Sequence, residues 1–167
     1  LNNQSWDVIF PGGIIDLSLR YRDAITDIEK NQKESIFLID QWCNQYEEKI
    51  RNMGGIGFFL GGIGPDGHIA FNVRGSDHNS TTRLMETNFE TQAAAATDLG
   101  GIEVSRNRLV ITIGLGTITY NKNSTAIIIA AGESKASIIK KALEKNQDVK
   151  YPASVLQKLK KSRFYLT

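Results

Sequence analysis

Apolar residues between Glu34 and Met53 recur at spacings of three and four, at Ile36, Ile39, Cys43, Tyr46, Ile50 and Met53. That period predicts an amphipathic helix, and the pair Gly54–Gly55 supplies its stop. The pattern then switches to short continuous apolar runs bounded by glycine. GIGFFLGG (55–62), RLVITIGL (108–115) and TAIIIAA (125–131) each read as a strand buried on both faces. Helical spacing returns over Ser134–Lys145, with Ala136, Ile139, Ala142 and Leu143 on the inward side. Pro152 suits the first turn of a further helix that buries Val155, Leu156 and Leu159. FYLT (164–167) reads as a last strand. The first 33 residues carry weaker signals: WDVIF reads as a strand and DLSLRYRDAITDIEK as helical.

Strands buried on both faces and alternating with helices argue for a parallel α/β sheet. In such sheets ligands bind beyond the carboxyl ends of the strands. The glycine-marked turns at 61–67, 114–116 and 132 all follow strand ends and are expected to converge on one site. No internal repeat is present, and only QAAAATDLGG is compositionally biased.

The 167 residues suit one domain with its own core, or a large part of a bigger one. A hydrophobic share of 41% and a charged share of 23% are those of an ordinary globular protein. Net charge is only +2 and the basic residues are dispersed, so no nucleic-acid or membrane-surface partner is expected. Lys140–Lys141 and the tail Lys158, Lys160, Lys161 and Arg163 read as solvated faces. A single cysteine, Cys43, forms no internal disulfide and anchors no metal cluster. With neither a spanning segment nor a signal peptide pattern, the cytoplasm is the expected compartment. Sequons at Asn3, Asn79 and Asn123 are of a kind that arises by chance. The chain opens LNNQSWD without a methionine, as a fragment or a processed N-terminus would.

The stretch GGIGPDGHIAFN (61–72) holds the candidate chemistry. Its Gly62, Gly64 and Gly67 spell G-x-G-x-x-G, the dinucleotide fingerprint. That fingerprint should open a helix, and HIAFNVRGSDHNS develops no helical period. Asp66 would also repel a pyrophosphate. Asp66 and His68 admit two readings: a carboxylate that orients a proton-transferring imidazole, or a capped turn with a packed polar histidine. The glycines would let backbone come close to a ligand. GESKA (132–136) is the second candidate. Free N–H groups at a helix start, with Lys135 beside them, make an anion site, although Lys135 would serve equally as an exposed first-turn residue.

Taken together, these segments resemble the glucosamine-6-phosphate deaminase (isomerase) family. The resemblance runs through CNQYEEKIRNMGGIGFFLGGIGPDGHIAFN, STTRL, VITIGLGT, GESKA and PASVLQ, in the family's order, over roughly residues 38 to 167. The related 6-phosphogluconolactonases share a glycine–Asp-Gly-His loop but continue with threonine, alanine and serine where this chain has I-A-F-N. The resemblance implies a three-layer, Rossmann-like, mostly parallel sheet flanked by helices, in a single domain over 1–167. It also implies ring opening of an aminosugar phosphate, proton transfer from C2 to C1, and release of ammonia to give fructose 6-phosphate. Asp66 and His68 match the ring-opening pair. Gly62, Gly64, Gly67 and Asn72 match the substrate loop, and Lys135 matches the lysine that holds the sugar phosphate. No metal and no organic cofactor are implied; the expected partner is a small sugar phosphate.

The chain departs from the family pattern in three places. Val73 stands where a glutamate normally partners the histidine. Thr97 falls where a phosphate-binding arginine belongs. The family's N-terminal half, with a Thr/Gly-rich phosphate loop and the aspartate that moves the C2 proton, has no counterpart in residues 1–33. Little or no turnover is therefore expected of this chain alone. Two other readings stay open: a non-catalytic sugar-phosphate-binding regulatory module, and a 6-phosphogluconolactonase-like hydrolase. The sequence leaves equally open a homo-oligomer and a separately supplied N-terminal half.

Overall fold

The computed structural model describes residues 5–87, 92 and 109–167. They fall into two compact units, Leu1–Gln45 with Leu84–Ile111, and Tyr46–Arg83 with Thr112–Thr167. Asn3, Thr97 and residues 93–101 of the biased tract lie outside the described residues.

In the first unit, WDVIF is not a strand. Helix α1 (Trp6–Ile9) is a single turn that runs at once into the 3-10 turn Pro11–Gly13. Gly12 and Gly13 there adopt φ of 68° and 71°, which bends the chain away from any extended path. A second 3-10 turn spans Leu17–Arg20 and buries Leu19. Arg20 grips Asp40 bidentately at 2.8 and 2.6 Å and donates to the Leu84 carbonyl at 3.1 Å.

The long helix α2 covers Asp27–Asn52 and begins well before the expected Glu34. A capping box sets that start. The Thr26 hydroxyl accepts from Glu29 N–H at 3.1 Å, and Glu29 Oε2 accepts from the amides of Ile25 and Thr26 at 2.7 and 3.1 Å. The Arg22 guanidinium, with those two amides, holds the Glu29 carboxyl down at about 2. At the other end Gly54 and Gly55, both at φ 87°, return N–H groups to Arg51 and Ile50 carbonyls at 2.9 Å. Ile36, Cys43 and Ile50 are buried as the period requires, whereas Tyr46 and Met53 are exposed and Glu47 is buried instead.

In chain order, β1 is Phe58–Gly62, β2 Arg83–Glu86, β3 Leu109–Thr112, α3 Leu115–Ile118, β4 Thr125–Ala130, α4 Ala136–Glu144 and β5 Lys161–Leu166. The α/β class with a parallel sheet and helices beside it holds. Strands β1, β4 and β5 form one sheet in that order, with both pairings parallel. Strand β3 does not join it: β3 pairs with β2 in a separate two-stranded sheet. The cause lies just beyond β3. A Cβ at Gly114 would stand 2.1 Å from the Ser80 carbonyl oxygen, and one at Gly116 would stand 2.6 Å from that of Asn79. The chain there is pinned to the 79–81 loop, which leads directly into β2.

One face of the parallel sheet carries the core. Ala126, Ile128 and Ala130 of β4 pack with Ile138, Ile139 and Ala142 of α4, with Leu115 and Ile118 of α3, and with Val155, Leu156 and Leu159. Burying a side chain such as Ile128 is worth about 2 kcal/mol. The helical face of α4 is shifted from expectation: Ile138 is buried, while Ala136 and Leu143 are exposed. PASVLQK folds as a 3-10 helix, Pro152–Lys158, with the expected apolar residues inward. Strand β1 was expected to be buried on both faces and is an edge strand, with Phe58 and Leu60 exposed.

Candidate active site

The register fixes where the loops leave the sheet. Gly62 at the end of β1 pairs with Ile129, one residue before the end of the adjacent β4. The Asp66–His68 loop and the Gly132–Lys135 turn therefore leave neighbouring parallel strands at the same edge. A Cβ at Gly67 would lie 3.1 Å from the Ile138 side chain in the first turn of α4, so the loop sits directly against that helix start. Sequence reasoning expected these two segments to converge, and in this unit they do. Gly114–Gly116 packs against residues 79–81 rather than following a strand of the parallel sheet.

Within the loop, Gly64 N–H donates to the His68 carbonyl and Gly67 N–H to the Gly64 carbonyl, both at 3.0 Å. This tight double closure needs φ of 85° at Gly67, which favours glycine. It folds the Asp66 carboxylate back onto the imidazole. Oδ1 of Asp66 lies 2.5 Å from His68 Nδ1 and also accepts the His68 amide at 3.3 Å. Oδ2 accepts the amide of Arg74 at 3.3 Å. Asp66 is only 3% exposed. A buried carboxylate on Nδ1 fixes the tautomer, so Nε2 is the nitrogen that a ligand would meet.

Downstream, I-A-F-N is a tight turn. Ala70 takes a left-handed φ of 51°, and the Asn72 amide closes onto the Ile69 carbonyl at 3.0 Å. The Asn72 side chain is fully buried. Its Nδ2 donates to the carbonyls of Ile69 and Ile113 at 3.0 and 2.8 Å, and its Oδ1 accepts from Arg83 at 2.9 Å. Phe71 N–H donates to the Thr112 hydroxyl at 3.1 Å. Val73 is half-buried and places Arg74 so that its amide reaches Asp66.

Lys135 ends the short 3-10 turn Glu133–Lys135 and caps α4, with no side-chain hydrogen bond at the cap. The first amides of α4 thus present the partial positive charge of a helix start beside the lysine. Among the described residues, no group of three or more His, Cys, Asp or Glu side chains comes together to hold a metal. Among the same residues, no helix is long and apolar enough to cross a membrane.

Two further residues organise the site and were not singled out from sequence. Glu47, on α2, accepts on Oε1 from the Thr82 amide at 2.8 Å and from the Thr82 and Thr117 hydroxyls at 2.6 Å each. It ties the 79–82 loop and α3 to the helix. The signal was a carboxylate spaced four and three residues from Cys43 and Ile50, on the apolar stripe. Arg83 braces Asn72 and also donates to the Ser76 hydroxyl at 3.3 Å; burial lowers its pKa.

A profile of the family described as glucosamine-6-phosphate isomerases/6-phosphogluconolactonase matches residues 20–165. A glucosamine-6-phosphate isomerase from Candida albicans is 40% identical over 119 residues, covering 71% of this chain and 48% of that protein. Glucosamine-6-phosphate deaminase 2 from Bacillus subtilis is 41% identical over 117 residues, covering 70% and 46%. The solved structure of a monomeric glucosamine-6-phosphate deaminase superposes with a TM-score of 0.67 at 29% identity, over 85% of this chain and 53% of that one. A 6-phosphogluconolactonase from Trypanosoma cruzi shares the fold, with a TM-score of 0.52 at 20% identity over 74% of this chain and 47% of that one. The chain spans about half the length of the curated relatives it matches. On this evidence the chain belongs to the glucosamine-6-phosphate isomerase/6-phosphogluconolactonase family.

Proposed function

We propose that this chain binds an aminosugar phosphate and carries the ring-opening acid–base pair of an isomerase/deaminase-type site. The observation that carries the reading is the buried Asp66 carboxylate 2.5 Å from His68 Nδ1, in a glycine loop at the carboxyl end of a parallel strand. Nε2 of His68 takes the proton of the anomeric hydroxyl and returns it to the ring oxygen as the C1–O5 bond breaks. Asp66 stabilises the transient imidazolium. Lys135 and the α4 amides hold the phosphate. The step that follows, proton transfer from C2 to C1 with loss of ammonia, needs a carboxylate that the family places in the half this chain does not match. Turnover to ammonia by the chain alone is therefore expected to be slight.

Ring opening is measurable without that carboxylate. Exchange between the α and β anomers of glucosamine 6-phosphate passes through the open chain, and magnetisation-transfer NMR reads its rate. The chain should accelerate this exchange, and His68→Ala should abolish the acceleration. Val73, where the family carries a glutamate, favours one competing reading, a regulatory module that holds the sugar phosphate without chemistry. Calorimetric binding of glucosamine 6-phosphate with no faster anomer exchange would establish that module and remove the acid–base role.

A further inference from the structure

The loop that carries Asp66 and His68 is held by the segment between α4 and the Pro152–Lys158 3-10 helix. The Gly67 carbonyl accepts the Ala153 amide at 2.9 Å, and the Gly75 amide donates to the Val149 carbonyl at 2.9 Å. His78 makes a third tie, to the backbone of Asp148. All of these residues belong to the unit formed by Tyr46–Arg83 and Thr112–Thr167. The holding segment is itself firmly closed. The Asp148 carbonyl also accepts from the Tyr151 amide at 2.8 Å and from the Ser154 hydroxyl at 3.1 Å. Ser154 Oγ in turn accepts the Asp148 amide at 3.0 Å, and Asp148 Oδ1 accepts the Lys150 amide at 2.8 Å.

Two of the three ties join backbone groups and are indifferent to pH. The third titrates. Nε2 of His78 is buried and has no hydrogen-bond partner among the described residues, so the bond to Asp148 falls to Nδ1. In the neutral imidazole Nε2 then carries only a lone pair. A second proton would place an unpaired N–H and a charge in that buried position, which is costly. Burial is the largest influence on the imidazole and disfavours its charged form. Lys158, at the end of the 3-10 helix, acts in the same direction, while Asp77 on the same loop and Asp148 on the holding segment oppose. Closure therefore excludes the proton, and by linkage the proton opposes closure as pH falls through the ordinary histidine range near 6.5.

We propose that His78 is an acid-sensitive latch on the Asp66–His68 loop: protonation at Nε2 opens residues 148–151 away from Gly75 and His78, and the loop slackens. The effect reaches the acid–base pair by a short path. Arg74, whose amide holds Asp66 Oδ2, directly precedes Gly75, and Gly67 lies between Asp66 and His68. The latch follows from these contacts alone and not from the sugar-phosphate reading, so either can fail without the other.

Amide hydrogen exchange, read by NMR on the full chain with no ligand present, tests the latch. Protection at the Gly67, Gly75 and Ala153 amides should fall severalfold between pH 7 and pH 5, after correction for the intrinsic rate. Low urea should leave exchange at these amides almost unchanged, because a local opening exposes little surface. The Cε1 proton of His78 should titrate with the same midpoint, below 6.5. His78→Asn keeps a donor for Asp148 and cannot titrate, so its protection at pH 5 should match that at pH 7. His78→Ala should be poorly protected at both, and circular dichroism should be the same for all three chains. Constant protection at any of the three amides in the parent chain would overturn the proposal, as would a His78 midpoint apart from theirs. So would urea dependence as steep as that of central β4, which would mark global unfolding. An equal fall in His78→Asn would also overturn it and pass the effect to His68, the chain's other histidine.

Discussion

A Cβ at Gly64 would stand 1.9 Å from Cε1 and 2.2 Å from Nδ1 of His68, so the loop backbone lies against the imidazole where no side chain fits. Either the ring or the loop must give way in Gly64→Ala, and Asp66 holds the ring. We expect this variant to stay folded and to lose about tenfold or more in calorimetric affinity for glucosamine 6-phosphate, as misplacing a positioned group typically costs. Affinity equal to the parent chain would separate the glycine from the site. His78 allows a second test at this scale. Its Nε2 is buried without a hydrogen-bond partner, and burial lowers its pKa, with Lys158 adding to the effect and Asp77 and Asp148 opposing it. With the folded pKa below the unfolded one, the unfolded chain binds more protons as pH falls through the ordinary histidine range near 6.5. Stability should therefore drop from pH 7 to pH 5, and His78→Asn should flatten that drop in urea titrations. Asp66 and His68 could be read from sequence because they are two residues apart in one turn. Arg83 against Asn72 could not, since that pair closes only once I-A-F-N has turned.

At the scale of elements, Glu47 shows why a buried carboxylate in a helix is easily overlooked. Its partners Thr82 and Thr117 are 35 and 70 residues away in sequence, and no local pattern announces them. Truncation in Glu47→Ala would strand one amide and two hydroxyls inside the second unit. The expected cost is about 3 kcal/mol in urea denaturation, and Glu47→Gln, which keeps an acceptor oxygen, should cost clearly less. Equal losses for the two would mean that packing, not hydrogen bonding, holds the element in place. Helix α2, strands β1 and β4 and the Pro152 turn were legible because their periods are set by burial within a few residues. The start of α2 was also encoded, in Thr26-Asp27-Ile28-Glu29, as a capping box that apolar spacing alone does not detect. Strand β3 was misplaced for a different reason. Its β-branched run specifies a strand but not a partner, and the choice of β2 depends on glycines packing against residues 79–81.

At the scale of the whole chain, family membership was legible because the motifs stand in the family's order, while the exposure of Phe58 and Leu60 on β1 was not. A continuous apolar run looks the same whether its second face is covered by this chain or by other residues. The division into two units gives a prediction of its own. Asp66, His68 and Lys135 all belong to the unit formed by Tyr46–Arg83 and Thr112–Thr167. A ligand that binds only the folded state slows local opening of the segments it touches, in proportion to its occupancy. Saturating glucosamine 6-phosphate should slow amide hydrogen exchange across residues 61–68 and 132–138. Strand β4, already central in its sheet, should be slow with or without ligand. The part of α2 from Asp27 to Gln45, in the other unit, should exchange at the same rate in both conditions. Protection appearing in Asp27–Gln45 but not in 61–68 would move the sugar-phosphate site out of the glycine loop. Protection at 61–68 without 132–138 would keep Asp66 and His68 and remove Lys135 as the phosphate's holder.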